Sequence, residues 1–183
     1  MRLIALCLVI ACSILAQSRA PGPPPPAGMT LPQYTAAGEL TRPRSTQTWT
    51  FVGASIGLSY SEAPSRKPPG LIHNVHMQPE AYKYYLETGK FPEKTMLILS
   101  LYEPEQKVSP NLHGHFQGKL VATEVALKDT ARFKEGWAYF DFSGGSNLKE
   151  SAKAMPRERC HQCHSDNAAD DNVFVQFYPV LRK

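Results

Sequence analysis

Leu120-Val121-Ala122-Thr123-Glu124-Val125-Ala126-Leu127-Lys128 decides how this chain is read. Val121, Thr123, Val125 and Leu127 alternate with Ala122, Glu124, Ala126 and Lys128. A period of two marks a β-strand, and this composition predicts one face on a core and the other in water. Before it, Thr95 to Tyr102 is apolar on both sides, Leu97, Leu99 and Leu101 against Met96 and Ile98, which predicts a central strand. After it, Trp137 to Phe142 is a strand dense in aromatics, closed by Ser143-Gly144-Gly145. Leu71 to Met77 reads as another, and Trp49 to Tyr60 as a strand bent, or split in two, at Gly53 and Gly57.

Helices are fewer. Pro79 to Thr88 has proline at its first position, Glu80 in its first turn and Gly89 just past its end, which predicts a helix burying Ala81, Tyr82, Tyr85 and Leu86. Ser61 to Gly70, with Pro64, Pro68 and Pro69, is a loop, and Ser109 to Gly118 a polar turn region. Beyond Gly145 the period changes: Asn147 and Glu150 predict a capping box opening a short helix that ends before Pro156. Asn172 to Leu181 fits a helix through Phe174, Phe177 and Leu181, or a strand through Val173, Val175 and Phe177; helix is the favoured reading.

Chemistry concentrates in Cys160-His161-Gln162-Cys163-His164, a Cys-x-x-Cys-His run. That run attaches c-type haem: two thiols one helical turn apart can each add to a vinyl group on one porphyrin edge, while the adjoining imidazole reaches the iron. Arg157 to His164 is therefore expected to be helical. Cys-x-x-Cys alone also fits a redox disulfide or half a zinc site. Zinc would want two further ligands at metal spacing, which no second cysteine pair supplies, and a thioredoxin-like site would want a βαβ setting that the flanks do not offer. The expected cofactor is one haem c per chain, its iron held by His164 and its porphyrin by Cys160 and Cys163.

The compartment agrees. Residues 1–20 read as a secretory signal peptide, with Arg2 as a basic start, an apolar run from Leu3 to Leu15 too short to span a bilayer, and a small residue, Ala20, at the end. An exported, periplasmic protein is expected, and Cys7 and Cys12 leave with the signal. The alternative is a lipoprotein, since Val9-Ile10-Ala11-Cys12 resembles a lipobox that would leave Cys12 as the lipid anchor. The chain has 183 residues and a net charge of +4, which falls to about +2 on loss of Arg2 and Arg19. With no basic stripe interleaved with aromatics, nucleic acid is not an expected partner. Residues 21–46 are expected to be a proline-rich linker and N-terminal arm, with Pro23 to Pro26 as a solvated spacer, and 47–183 the folded haem domain.

In a haem protein the ligand opposite the proximal histidine decides much of the function. Only 19 residues follow His164, and none is methionine or histidine. Upstream, Met77, Met96, Met155, His73, His76, His113 and His115 all have plainer roles. Met96 fills a core strand, His73 and His76 fall on opposite faces of one strand, His113 and His115 flank Gly114 in a loop, and Met155 precedes Cys160 by five residues on the proximal side. The favoured reading is an open iron position for a small ligand. A four-helix haem protein would put the same motif near the C-terminus, but it needs long helical periodicity where this chain has strands.

Cys160 to His164, continued through Asp171-Asn172-Val173-Phe174-Val175-Gln176-Phe177-Tyr178-Pro179-Val180-Leu181-Arg182, resembles the C-terminal signature of the cytochrome P-460 family. Trp49 to Tyr60, Pro79-Glu80-Ala81-Tyr82, Thr88 to Glu93, Lys128 to Phe133 and Gly136 to Phe140 resemble it too, in family order. The resemblance implies an α+β fold, a mainly antiparallel β-sheet with a few helices and a haem-binding Cys-x-x-Cys-His helix near the C-terminus. It also implies a homodimer, and a periplasmic haem with His164 as proximal ligand.

The family divides by chemistry. Its namesake oxidises hydroxylamine and carries an extra lysine bond to the porphyrin; its β-type cytochrome c′ relatives lack that bond and bind nitric oxide or carbon monoxide. Where the lysine would stand, this chain places Leu99 and Ser100, and Lys94 lies five residues off, on the opposite strand face and about 17 Å away. The expected function is thus a five-coordinate cytochrome that binds a small gaseous or nitrogen-oxide ligand. Its distal pocket would be apolar, from candidates Leu97, Leu99, Tyr139, Phe140 and Phe142, with Arg157, Arg159 and Lys149 near the propionates. The alternatives are an oxidoreductase acting on hydroxylamine or nitric oxide, whose catalytic residues the sequence does not name, and an electron-transfer cytochrome c served by a redox-partner cytochrome.

Overall fold

The computed structural model describes residues 20–58, 68–106 and 113–182. Almost all of the segment expected to be a signal peptide, most of the loop from Ser61 and the start of the turn region from Ser109 lie outside them.

The architecture is α+β. Five strands, β2 (Thr50–Ile56), β3 (Ile72–Met77), β4 (Met96–Glu105), β5 (Phe116–Lys128) and β6 (Trp137–Asp141), form one antiparallel sheet in chain order. β4 is the middle strand, as its two apolar faces require. Two short strands, β1 (Leu40–Thr41) and β7 (Ser151–Ala152), pair separately. The helix α1 (Pro79–Thr88) begins on Pro79 and ends against Gly89, whose φ of 73° supplies the left-handed cap. Ala81 and Tyr85 are buried, whereas Leu86, expected inside, is 49% exposed.

The register sorts side chains into rows. Val75, Leu99, Glu124 and Asp141 lie side by side across β3 to β6, and so do Met77, Leu97, Ala126 and Tyr139. The intervening row, His76, Ile98, Val125 and Phe140, points to the other face, because successive residues alternate. Two cores result. Met96, Ile98, Val125, Leu127, Ala138, Phe140 and Phe142 pack with Leu40 and Trp49 on one face. On the other, Val75, Met77, Leu97 and Tyr139 pack with α1 and the C-terminal Val173, Val175 and Leu181. The face of β5 expected in water is therefore covered: Glu124 and Ala126 are partly buried and Lys128 is fully so.

Three other expectations change. The proline arm is laid on the domain instead of standing off as a spacer: Glu93 accepts from Gly22 N at 2.9 Å, its own N donates to Pro23 O at 2.7 Å, and Met29 enters the core. Buried Gln78 secures the arm's end, donating from Nε2 to Thr30 O and Lys94 O, both at 2.9 Å. No capping box forms at Asn147: Glu150 pairs with Arg42 and Arg44, and the segment continues as β7 against β1, so strand pairing outcompetes an isolated helical turn. Finally, the C-terminal segment is two 3-10 turns, Val175–Phe177 and Pro179–Leu181, since Pro179 lacks the N–H a continuing α-helix would use.

Candidate functional site

A cleft opens between the sheet and the C-terminal segment. Its sheet wall is Val75 from β3, Leu97 and Leu99 from β4, Glu124 and Ala126 from β5 and Tyr139 from β6; Met155, Cys160, His164, Asn172, Phe174 and Tyr178 close the other side. Its lining is mainly apolar, the kind of wall that holds a large planar ligand.

Cys160 stands just before the helix α2 (His161–Asn167), so the helix begins later than the sequence predicts, and residues 157–160 form turns. His164 N donates to Cys160 O at 3.1 Å, so one helical turn separates the first thiol from the imidazole. Both thiols are free and partly buried. Burial, then the Glu124 charge, pushes the Cys160 thiol above its ordinary value, so it is a protonated thiol in the bare protein.

His164 is held between aromatic neighbours and by a hydrogen bond at one edge. Its ring lies 4.4 Å from that of Tyr139 and 4.5 Å from that of Phe174, centroid to centroid. Nδ1 lies 2.8 Å from Asn172 O, and since a carbonyl only accepts, Nδ1 carries the proton and Nε2 keeps its lone pair. Burial lowers the His164 pKa, partly offset by that hydrogen bond, so the imidazole is neutral, the state that binds a metal. Cys160 and His164 line the cleft, whereas Cys163 follows in α2 with its Sγ 3.7 Å from Asn167 Nδ2; a thiol and a neutral imidazole oriented by a backbone carbonyl in an apolar cleft, with a second thiol one turn along, fit haem. Among the described residues, no group of three or more His, Cys, Asp or Glu could hold a metal ion without it.

The proposed distal residues divide. Leu97 and Leu99 face the cleft, and Ser100 belongs to the opposite face, beside Asn74 and Thr123. Tyr139 lies in the cleft but against His164, with its hydroxyl donating to Asn172 O at 3.3 Å, so it supports the proximal ligand instead of walling the space opposite. Phe140 borders the cleft while its row packs in the far core. Phe142 is not brought to the cleft; it is buried in the far core, two residues on from Phe140 and on the same face. Of the methionines and histidines weighed as sixth ligands, only Met155 lines the cleft among the described residues, with its Sδ 3.6 Å from Cys160 Sγ. Met77 and Met96 are core residues, and His76 stacks edgewise on Phe51 at 5.4 Å. Lys94 is engaged elsewhere, its Nζ 2.5 Å from Asp129 Oδ1. Arg157 borders a smaller neighbouring cavity, and Arg159 offsets the charges of Glu124.

Sequence reasoning missed Glu124 and Asn172. Burial, and then Asp141 directly across the sheet, raise the Glu124 pKa, with Arg159 opposing. The available signal was a carboxylate inside the alternation of β5, paired with Leu99 of the central strand. Asn172 gave none, since it acts through its backbone oxygen.

The family model for cytochrome P-460 matches residues 43–175, and no curated protein matches the chain. Among the described residues, no helix is long and apolar enough to cross a membrane.

Proposed function

Because this chain belongs to the cytochrome P-460 family of haem proteins, we propose that it carries one haem c, bonded through Cys160 and Cys163 with His164 as the proximal ligand, and that its iron binds nitric oxide or carbon monoxide at an open sixth position. The observation that carries this reading is the cleft wall: Leu99 faces inward where a cross-linking lysine would be needed, and no lysine lines the cleft among the described residues. When bound, the haem supplies an iron that takes up a small ligand. The chain's own part is to hold His164 neutral and oriented through Asn172 O, and to surround the ligand with Val75, Leu97, Leu99 and Ala126. These aliphatic side chains offer no hydrogen bond to bound dioxygen or peroxide, which favours the less polar gases; Glu124, beside Leu99, is the one carboxyl in this wall among the described residues.

One observation favours a second reading, oxidation of hydroxylamine. Such a reaction releases protons along with electrons, and Glu124 is a carboxyl in the cleft whose raised pKa brings it closer to neutral pH. A periplasmic location and a homodimer belong to the proposal as well. The deciding experiment is the ferrous absorption spectrum with and without nitric oxide, beside an intact mass. A high-spin spectrum that shifts with nitric oxide, and a mass of chain plus haem, support ligand binding. A low-spin six-coordinate spectrum would sink it. Turnover of hydroxylamine with an electron acceptor, abolished by Glu124→Gln, would put the second reading first.

A further inference from the structure

The carbonyl that orients His164 sits in a turn that non-glycine residues seldom adopt. Asp171 and Asn172 are consecutive left-handed residues, with φ of 40° and 62°. Such a conformation persists only where surrounding contacts over-determine it. The turn is closed by Val173 N donating to Asp170 O at 2.7 Å, and Tyr85 Oη donates to Asp170 Oδ2 at 3.2 Å. The strongest hold comes from the sheet: Lys128, the last residue of β5, donates from Nζ to Asp171 Oδ2 at 2.7 Å and to Phe91 O at 2.8 Å. The two charged side chains are 8% and 16% exposed. Removing one member would strand the other charge in a dry place, so the pair fixes the position of Asp171 closely.

We infer that Lys128 is a positioning residue for the proximal ligand: by anchoring Asp171 it holds the Asn172 carbonyl against His164 Nδ1, and so sets how strongly that imidazole binds iron. This rests on the reading of His164 as the haem ligand. A firm hydrogen bond at Nδ1 makes Nε2 more basic, which strengthens the iron–nitrogen bond and favours ferric over ferrous iron. Loosening the turn weakens the bond and raises the midpoint potential.

The test uses the haem-loaded protein and the charge-neutral double variant Lys128→Met/Asp171→Asn. Its control is Arg42→Met/Glu150→Gln, which removes a 3.1 Å pair outside the cleft at the same net charge. Two quantities are read: the iron–histidine stretch of the ferrous protein by resonance Raman, and the midpoint potential by spectroelectrochemical titration. The double variant should move the stretch to lower frequency and the potential upward, while the control moves neither. An unchanged stretch and potential in a haem-loaded double variant, or equal shifts in the control, overturn the inference. Should the double variant not fold, Asp171→Asn alone keeps the side-chain shape but breaks the ion pair; its stretch should fall by a smaller amount, and no change overturns the inference equally. Absence of an iron–histidine band in the wild type would point to six-coordinate iron and count against the proposed open site, leaving the potentials to decide the role of Lys128.

Discussion

The two faces of the five-stranded sheet are built from the same strands and differ in what they are packed against. The back face is filled around Val125, Leu127, Phe140 and Phe142, and toward Asn74, Ser100 and Thr123 it opens into a separate, polar-lined pocket. The front face, with Leu97, Leu99, Glu124 and Ala126, meets the apolar cleft that Cys160 and His164 close. In β5 the two alternate residue by residue, Val125 against Glu124 and Leu127 against Ala126. Small or polar residues in a strand's second register thus mark the face left open for a cofactor as readily as one turned to water.

That contrast can be broken experimentally, and the largest effect belongs to the cofactor. Cys160→Ser/Cys163→Ser should abolish covalently held haem entirely, read as loss of haem stain on a denaturing gel; retained stain would remove the basis for the front-face reading. Next comes the back face. Phe142 is fully buried and outside the cleft, so Phe142→Ala should cost about 3–5 kcal/mol in urea unfolding while leaving the nitric oxide spectrum of the folded protein unchanged. Leu99→Ala should do the reverse, costing less than about 2 kcal/mol because Leu99 is only partly buried, yet altering ligand association rates. Equal behaviour of these two variants would erase the distinction between the faces.

Smaller effects sharpen it. Gly53 lies beneath the ring of Tyr178, a cleft residue, and a Cβ there would come within 2.5 Å of Tyr178 Cδ1. Gly53→Ala should cost about 1–3 kcal/mol and shift the haem absorption bands; an unaltered spectrum would show that Tyr178 has room to move. The smallest effect concerns Glu124. Its pKa is raised above 4.5 by burial and by Asp141, so the folded state prefers the protonated carboxyl. The stability this contributes is complete below the unfolded value and is lost as pH rises through the raised one. Glu124→Gln should therefore lose less stability than the wild type as pH rises above the ordinary carboxylate range in urea unfolding. Parallel curves would show that Glu124 ionises freely.

Much of this was legible in the chain. The limits of α1 are set by Pro79 and Gly89, whose backbone preferences act locally, and they are read correctly. The central place of β4 follows from its apolar faces. What failed was decided at a distance. The Asn147 segment carries a helix-start pattern, yet Glu150 finds Arg42 and Arg44 more than 100 residues away in sequence, and Ser151 finds Thr41. Phe142 shares the aromatic character of Tyr139, but alternation puts its side chain in the far core.

By itself the sequence determined the haem-protein family and the strands: the order Cys-x-x-Cys-His fixes which thiols and which imidazole lie close along one helix, and period-two alternation fixes which residues share a strand face. Only the tertiary structure decided which of those faces holds the cleft, and that Asp171, Asn172 and Lys128 stand behind His164. Alternation is a property of neighbours along the chain, whereas a cleft exists only where distant segments stop short of touching, and a backbone carbonyl acquires its role from whatever the fold brings beside it.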